Sequence, residues 1–157
     1  VLVQPQIVSS MTNTDTGEVT TFQTQEVRQV ISKATADTVA SMMESVVLHG
    51  TGQRVIKGIE GMSQYSIGGK TGTSEPINGS TDDGYIASFL AISPVENTKI
   101  VLLVILDTPG EGVNHNGGQI AAPTAGKMLS EILPYLGVET GNSDDKIQFN
   151  RSDTDLY

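Results

Sequence analysis

The sequence has no cysteine and no tryptophan. Without cysteine the chain can form neither disulfides nor thiolate metal sites, although this absence does not identify a cellular compartment. Basic residues are scarce as well, since nine Lys and Arg stand against eighteen Asp and Glu and give a net charge of −9. A chain this acidic repels phosphate groups, so we expect no nucleic acid and no anionic membrane surface as a partner.

The sequence also has no long apolar run. No stretch reaches the roughly 20 apolar residues that a membrane-spanning helix requires, and no signal-peptide pattern opens the chain. The opening Val1-Leu2-Val3-Gln4-Pro5 has no initiator methionine, so we expect a fragment of a longer protein. The 157 residues still suffice for one domain with a hydrophobic core.

Two segments near the start of the chain have clear patterns. Residues 7–22 predict a hairpin, because two short strand-like runs flank a dense cluster of turn-forming residues at 12–17. Ser32 is a good N-cap and Gly50 a good stop, so we predict an amphipathic helix over residues 32–49. The apolar stripe of this helix consists of Val39, Met42, Met43, Val46 and Val47.

Three later runs predict the strands of one antiparallel sheet. Residues 86–92 and 100–106 are apolar on both faces, and the connection between them is too short for a helical crossover. We therefore expect these two strands to be antiparallel neighbours, with residues 65–73 pairing beside 86–92. Strands that are apolar on both faces need cover on both faces.

A second helix near the end of the chain completes the predicted fold. Pro123 suits its first turn, and Pro134 and Gly137 mark its end. The predicted class is α+β, an antiparallel sheet covered by helices on both faces. Residues 1–138 form the domain in this prediction, and residues 139–157 a polar acidic tail or linker. The apolar stripe of the helix consists of Ala125, Met128, Leu129, Ile132 and Leu136.

The stretch Lys70-Thr71-Gly72-Thr73 is the strongest candidate for chemistry. It places a cation and two hydroxyls on one predicted strand, where Lys70 and Gly72 face one side and the two threonines face the other. Gly72 has no Cβ, so a ligand or another chain can lie close to the backbone. On these residues alone, a Gly-rich edge strand with an ordinary surface lysine is an equally good interpretation.

The order of the predicted elements, together with five short segments, resembles the C-terminal half of a class B penicillin-binding protein transpeptidase domain. K-T-G is one of the signatures of serine β-lactamases and penicillin-binding proteins, beside S-x-x-K and S-D-N. The resemblance covers roughly residues 1–138. The segments that carry it are VLHGTG at 47–52, GKTGT at 69–73, YIASF at 85–89, LDTPG at 106–110 and GGQIAAP at 117–123.

The resemblance implies peptidoglycan cross-linking by serine acyl transfer from D-Ala-D-Ala stem peptides, with β-lactams as mimics of the donor. It assigns one oxyanion donor to the backbone N–H of Thr73. It assigns to Lys70 a positive potential and a hydrogen bond to the serine of S-x-N. The hydroxyls of Thr71 and Thr73 then receive the terminal carboxylate, and Gly72 keeps the strand open for the substrate peptide to pair against it. No cofactor is implied.

Residues 1–138 lack two motifs that the resemblance implies, S-x-x-K and S-x-N. We therefore expect a complementary N-terminal transpeptidase half that carries both motifs, and we expect this chain to be inactive alone. The expected location is the extracytoplasmic face of the bacterial cell membrane, with a membrane anchor upstream.

Two other functions remain open from the sequence: a penicillin-binding-like module that senses or scaffolds without turnover, and a serine β-lactamase. The β-lactamase is the weaker alternative, because the turn at 107–109 and the run at 117–123 resemble the transpeptidases more closely. Asp107 and His115 form a conceivable metal pair. A strand-end cap and a polar turn explain them more simply, so we expect no metal.

Overall fold

The computed structural model describes residues 1–74, 84–110, 112 and 114–141. The chain divides into two compact units, Val1–Thr38 and Val39–Tyr157. The division falls inside the first long helix, and the predicted chemistry belongs to the second unit. No helix within the described ranges has the length and the apolar character needed to cross a membrane.

The first unit contains two small antiparallel ladders. Strand β1 (Leu2–Val3) pairs with β4 (Glu26–Arg28), and β2 (Ser10–Thr12) pairs with β3 (Val19–Thr21). The turn between β2 and β3 is held by Asn13, whose side-chain oxygen accepts from the backbone N–H of Asp15 at 2.9 Å. This Asx turn explains the predicted hairpin, which is confirmed, although its strands are shorter than expected.

Helix α1 (Lys33–His49) lies within one residue of the prediction. Its start is capped as expected, because the Ser32 hydroxyl accepts from the backbone N–H of Thr35 at 3.1 Å. The apolar stripe is narrower than predicted. Val47 is buried, whereas Met42 is 62% exposed and Val39 is exposed as well.

The second unit contains a three-stranded antiparallel sheet. Strands β5 (Gly68–Ser74), β6 (Ile86–Ser93) and β7 (Ile100–Asp107) follow the order β5-β6-β7. The predicted neighbours and their antiparallel direction are therefore confirmed. Two short 3₁₀ turns, Gln53–Val55 and Met62–Gln64, connect α1 to β5.

Helix α2 (Gly117–Tyr135) packs against one face of this sheet. It begins six residues before Pro123, so the prediction that Pro123 occupies the first turn was wrong. Asn116 is the N-cap, and Pro123 lies inside the helix. Gly137, at φ +59°, follows the helix and ends it as predicted. The core between α2 and the sheet contains Phe89, Ala91, Ala121, Ala122, Ala125, Leu129 and Leu133.

The opposite face of the sheet is only partly covered. Met43 of α1 lies close to Gly68, and β6 is half-buried along this face. On β7, however, Val101, Leu103 and Ile105 are 63%, 53% and 56% exposed. The predicted α+β class is confirmed, but the cover that was expected over this part of the sheet is absent from the described residues.

The last described residues are hydrogen-bonded to earlier parts of the second unit. The backbone N–H of Val138 donates to the carbonyl of Leu133, and that of Gly141 donates to the carbonyl of Gln64 at 2.9 Å. The acidic tail predicted at 139–157 lies mostly outside the described residues, and the boundary at 138 stays a prediction.

Candidate active site

Strand β5 carries the KTGT stretch at one edge of the sheet. β6 is its partner over the whole length, with Lys70 opposite Leu90 and Thr73 opposite Ala87. The other edge of β5 has no partner strand within the described residues. An unpaired edge of this kind is where an extended peptide can add as a further strand.

The Lys70 side chain is exposed on this edge strand. Its ammonium group donates to the backbone carbonyl of Thr71 at 2.9 Å. A local bond of this kind leaves the positive charge in solvent and close to the free edge. The charge is therefore available to an approaching anion.

Each hydroxyl of the KTGT stretch has a partner from another segment. Thr71 Oγ1 lies 2.9 Å from Thr51 Oγ1, in the turn after α1. Thr73 Oγ1 accepts from the backbone N–H of Gly117, the first residue of α2, at 3.2 Å. Both threonines point to the face of the sheet on which α2 begins, as the strand alternation predicts.

Glycines allow the backbones around this strand to approach each other closely. A Cβ on Gly117 would collide with the carbonyl oxygens of Gly72 and Ser88. A Cβ on Gly118 would lie 2.5 Å from the carbonyl oxygen of Thr51. The glycine pair at 117–118 therefore allows close packing, and it places the start of α2 directly against the KTGT stretch.

A glycine is favoured at position 72 for a structural reason that the sequence does not reveal. A Cβ at this position would lie 2.5 Å from the hydroxyl oxygen of Ser88 on the neighbouring strand. The missing side chain therefore makes room for Ser88 on the sheet face that also carries Lys70. An open backbone for a ligand stays a second, untested reason for this glycine.

Asp107 and His115, considered above as a metal pair, have other contacts. Asp107 accepts from the Thr108 hydroxyl at 2.9 Å. The His115 ring stacks on Tyr85, with 3.9 Å between the ring centroids and 11° between the planes. Within the described ranges, no group of three or more potential ligands is arranged to hold a metal ion. The turn-forming residues at 75–84 predict a loop next to the KTGT stretch, and this segment lies almost entirely outside the described residues.

Comparison with known proteins now assigns the chain to a family. Residues 1–130 match the penicillin binding protein transpeptidase domain. The chain belongs to this family. The matched range includes β5 and the start of α2, so the family predicted from the short segments is confirmed.

Individual relatives agree with this assignment. Stage V sporulation protein D of Bacillus subtilis is 33% identical over 129 residues, which make up 81% of this chain and 19% of that protein. Peptidoglycan D,D-transpeptidase FtsI of Escherichia coli (strain K12) is 31% identical over 115 residues, 71% of this chain and 18% of that protein. This chain thus spans about a fifth of the length of these curated relatives.

Solved structures give the same result. Penicillin binding protein 3 from Mycobacterium tuberculosis, complexed with ampicillin, has a TM-score of 0.71 and 28% identity over 91% of this chain and 33% of that chain. The D,D-transpeptidase domain of a peptidoglycan glycosyltransferase from Eggerthella lenta has a TM-score of 0.66 and 28% identity, covering 87% of this chain and 29% of that one. This chain therefore shares the fold of about a third of each of these solved chains.

Sequence reasoning missed two features that bear on the site. Thr51 was noticed only as part of a segment, because its bond to Thr71 joins positions twenty residues apart. The chain also contains one S-x-x-K string, Ser143-Asp144-Asp145-Lys146, which was overlooked, so the motif is absent only from residues 1–138. This string follows the KTGT strand in the chain, lies beyond the family match and falls outside the described residues.

Proposed function

We propose that this chain supplies the KTGT side of a serine D,D-transpeptidase site that cross-links peptidoglycan. The observation that carries the proposal is the free edge of β5, which has an exposed lysine on one face of the strand and two positioned hydroxyls on the other. Hydroxyl donors with a cation on the same short strand suit the carboxylate that ends a D-Ala-D-Ala peptide. The free edge suits the extended peptide itself.

The proposed reaction has two balanced steps. The serine hydroxyl of S-x-x-K, supplied by the complementary N-terminal segment, loses its proton to a base and attacks the amide carbonyl between the two D-alanines. The C–N bond breaks, the terminal D-Ala leaves as a protonated amine, and an ester remains. An amine of a second stem peptide then attacks the ester, forms the new amide and returns the serine hydroxyl.

Within this chain, Thr73 and Lys70 stabilise the transition states of both steps. The backbone N–H of Thr73 donates to the negative oxygen that develops on the carbonyl, and loss of one such donor typically lowers the rate about 10²–10³-fold. Lys70 adds positive potential and donates a hydrogen bond to the serine of S-x-N in the complementary segment. The hydroxyls of Thr71 and Thr73 donate hydrogen bonds to the terminal carboxylate, and the backbone of the substrate peptide pairs along Gly72.

A complementary segment with S-x-x-K and S-x-N is the proposed partner of this chain. The exposed apolar residues Val101, Leu103 and Ile105 support the proposal, because three neighbouring aliphatic side chains on one strand face are favourable to bury. The proposed location is the extracytoplasmic face of the bacterial cell membrane, where stem peptides are available. β-Lactams would acylate the same serine and remain as esters.

The decisive experiment joins these 157 residues to the segment that carries the two motifs and supplies a stem pentapeptide with an acceptor amine. A transpeptidase releases D-Ala and forms the cross-linked product, both of which mass spectrometry detects. Stable penicillin acylation without D-Ala release would instead support the sensing or scaffolding module. Rapid multiple-turnover hydrolysis of penicillin would support a serine β-lactamase.

A further inference from the structure

A hydroxyl has one proton to donate and two lone pairs to accept with, so its neighbours decide what it can offer a ligand. Building on the proposed function, we propose that Thr51 and the backbone N–H of Gly117 are positioning groups. They hold the Thr71 and Thr73 hydroxyls so that both protons point to the same anionic group of the ligand.

The arrangement at Thr73 follows from the direction of one bond. The Gly117 N–H can only donate, so Thr73 Oγ1 is the acceptor in their 3.2 Å contact. The Thr73 proton is therefore not used in this contact and remains for the ligand. Because the accepted bond comes from the first turn of a helix, it also strengthens the hydroxyl as a donor.

The other N–H groups in the first turn of α2 have partners within the helix and its cap. Gly118 donates to the side-chain oxygen of Asn116 at 2.9 Å. Gln119 and Ile120 donate to the Asn116 backbone carbonyl at 2.8 and 3.2 Å. The start of α2 is thus no open anion site, and it acts on a ligand through Thr73.

The contact between Thr51 and Thr71 has two possible directions, because one proton lies between two hydroxyl oxygens 2.9 Å apart. If Thr71 donates to Thr51, it has no proton left for a ligand. A carboxylate accepts and cannot donate, so a bound carboxylate selects the other direction, in which Thr51 donates to Thr71. Thr71 then directs its own proton to the carboxylate.

The backbone holds Thr51 firmly in place. The N–H groups of Gly50 and Gly52, on either side of it, both donate to the carbonyl of Val46, at 3.0 and 3.1 Å. Gly118 packs against the Thr51 carbonyl, where a Cβ would come within 2.5 Å. Thr51 therefore needs little reorganisation when a ligand binds.

Thr51 is tested with Thr51→Val, which keeps the shape and removes the hydroxyl, and with Thr51→Ser as the matched control. The second-order rate constant of acylation is measured in the joined domain for a penicillin with a free carboxylate and for its methyl ester. We expect Thr51→Val to lower the constant for the acid roughly threefold to tenfold, as for loss of one hydrogen bond between neutral groups. We expect less than a twofold change for the ester, and near-wild-type values for Thr51→Ser.

The role of the Gly117 N–H is tested with Asn116→Asp and Asn116→Ser. Both substitutions retain a good N-cap, and only the aspartate adds a negative charge at the first turn of α2, where Gly117 donates to Thr73. Asn116→Asp should slow acylation by the acid several-fold and leave the ester unchanged. The assignment would be overturned if Thr51→Val or Asn116→Asp lowered the acylation rate constant equally for the acid and the ester. It would also be overturned if the two variants at either position acylated at the same rate. A wild-type domain that fails to acylate would instead count against the proposed function itself.

Discussion

At the scale of single residues, the chemistry depends on where the side chains of β5 meet other segments. The KTGT string in the sequence correctly indicated a cation and two hydroxyls on alternate sides of one strand. It did not reveal Thr51 or the Gly117 N–H, because both partners reach the strand through the packing of α1 and α2. It also gave no sign that Gly72 makes room for Ser88.

Lys70→Ala is the first test at this scale. We expect acylation by penicillin in the joined domain to fall by orders of magnitude, because a charge near the oxyanion acts directly on the barrier. Unfolding free energy should change by only about 0–1 kcal/mol, since the side chain is exposed. Rapid-quench acylation with circular dichroism measures both. A folded variant that acylates at the wild-type rate would show that Lys70 is an ordinary surface lysine.

Thr73 offers two substitutions that separate its backbone from its side chain. Thr73→Pro deletes the N–H assigned to the oxyanion and should lower the acylation rate more than Thr73→Val. Thr73→Val keeps that N–H and loses only the hydroxyl that accepts from Gly117 and serves the carboxylate.

The two variants are compared by acylation rate and by thermal unfolding, because proline also restricts the strand. If Thr73→Val were as slow as Thr73→Pro while both remained folded, the assignment of the backbone N–H would fail.

At the scale of elements, the sheet was predictable and its surroundings were less so. The apolar runs at 86–92 and 100–106 and their short connection were sufficient to give both strands and their direction. The start of α2 was misplaced because Pro123 suggested a first turn, whereas Asn116 and the tight glycine packing begin the helix earlier. The exposed side of β7 was not predictable, since an apolar run does not show which residues will cover it.

Two substitutions by alanine, one at a buried phenylalanine and one at an exposed leucine, test the sheet. Phe89 is fully buried beneath α2, so Phe89→Ala should cost about 3–5 kcal/mol. Leu103 is 53% exposed, so Leu103→Ala should cost less than about 1 kcal/mol in this chain alone. In the joined domain, where we propose that this face is covered, the cost should rise to about 2–5 kcal/mol.

Urea unfolding of both forms gives these free energies. An equal, small effect of Leu103→Ala in the two forms would argue against the covering of β7 by the complementary segment, and would leave the packing of Phe89 unaffected.

At the scale of the whole molecule, the family is clear and the proposed site is shared between segments. The chain matches the transpeptidase domain over residues 1–130 and spans about a fifth of the curated relatives it resembles. The family could be predicted from the sequence because the short segments occur in a fixed order. The missing serine could only be inferred, because its motif does not occur in the part of the chain that resembles the family.

The most direct test of this account is the mass of the protein after incubation with a penicillin. This chain alone should gain no stable adduct, and the joined domain should gain one, on the serine of the S-x-x-K motif in the added segment. Ser143→Ala serves as the control for the single S-x-x-K string within the chain, and it should change neither result. A stable acyl adduct on the isolated chain, at Ser143 or at any other residue, would contradict the account.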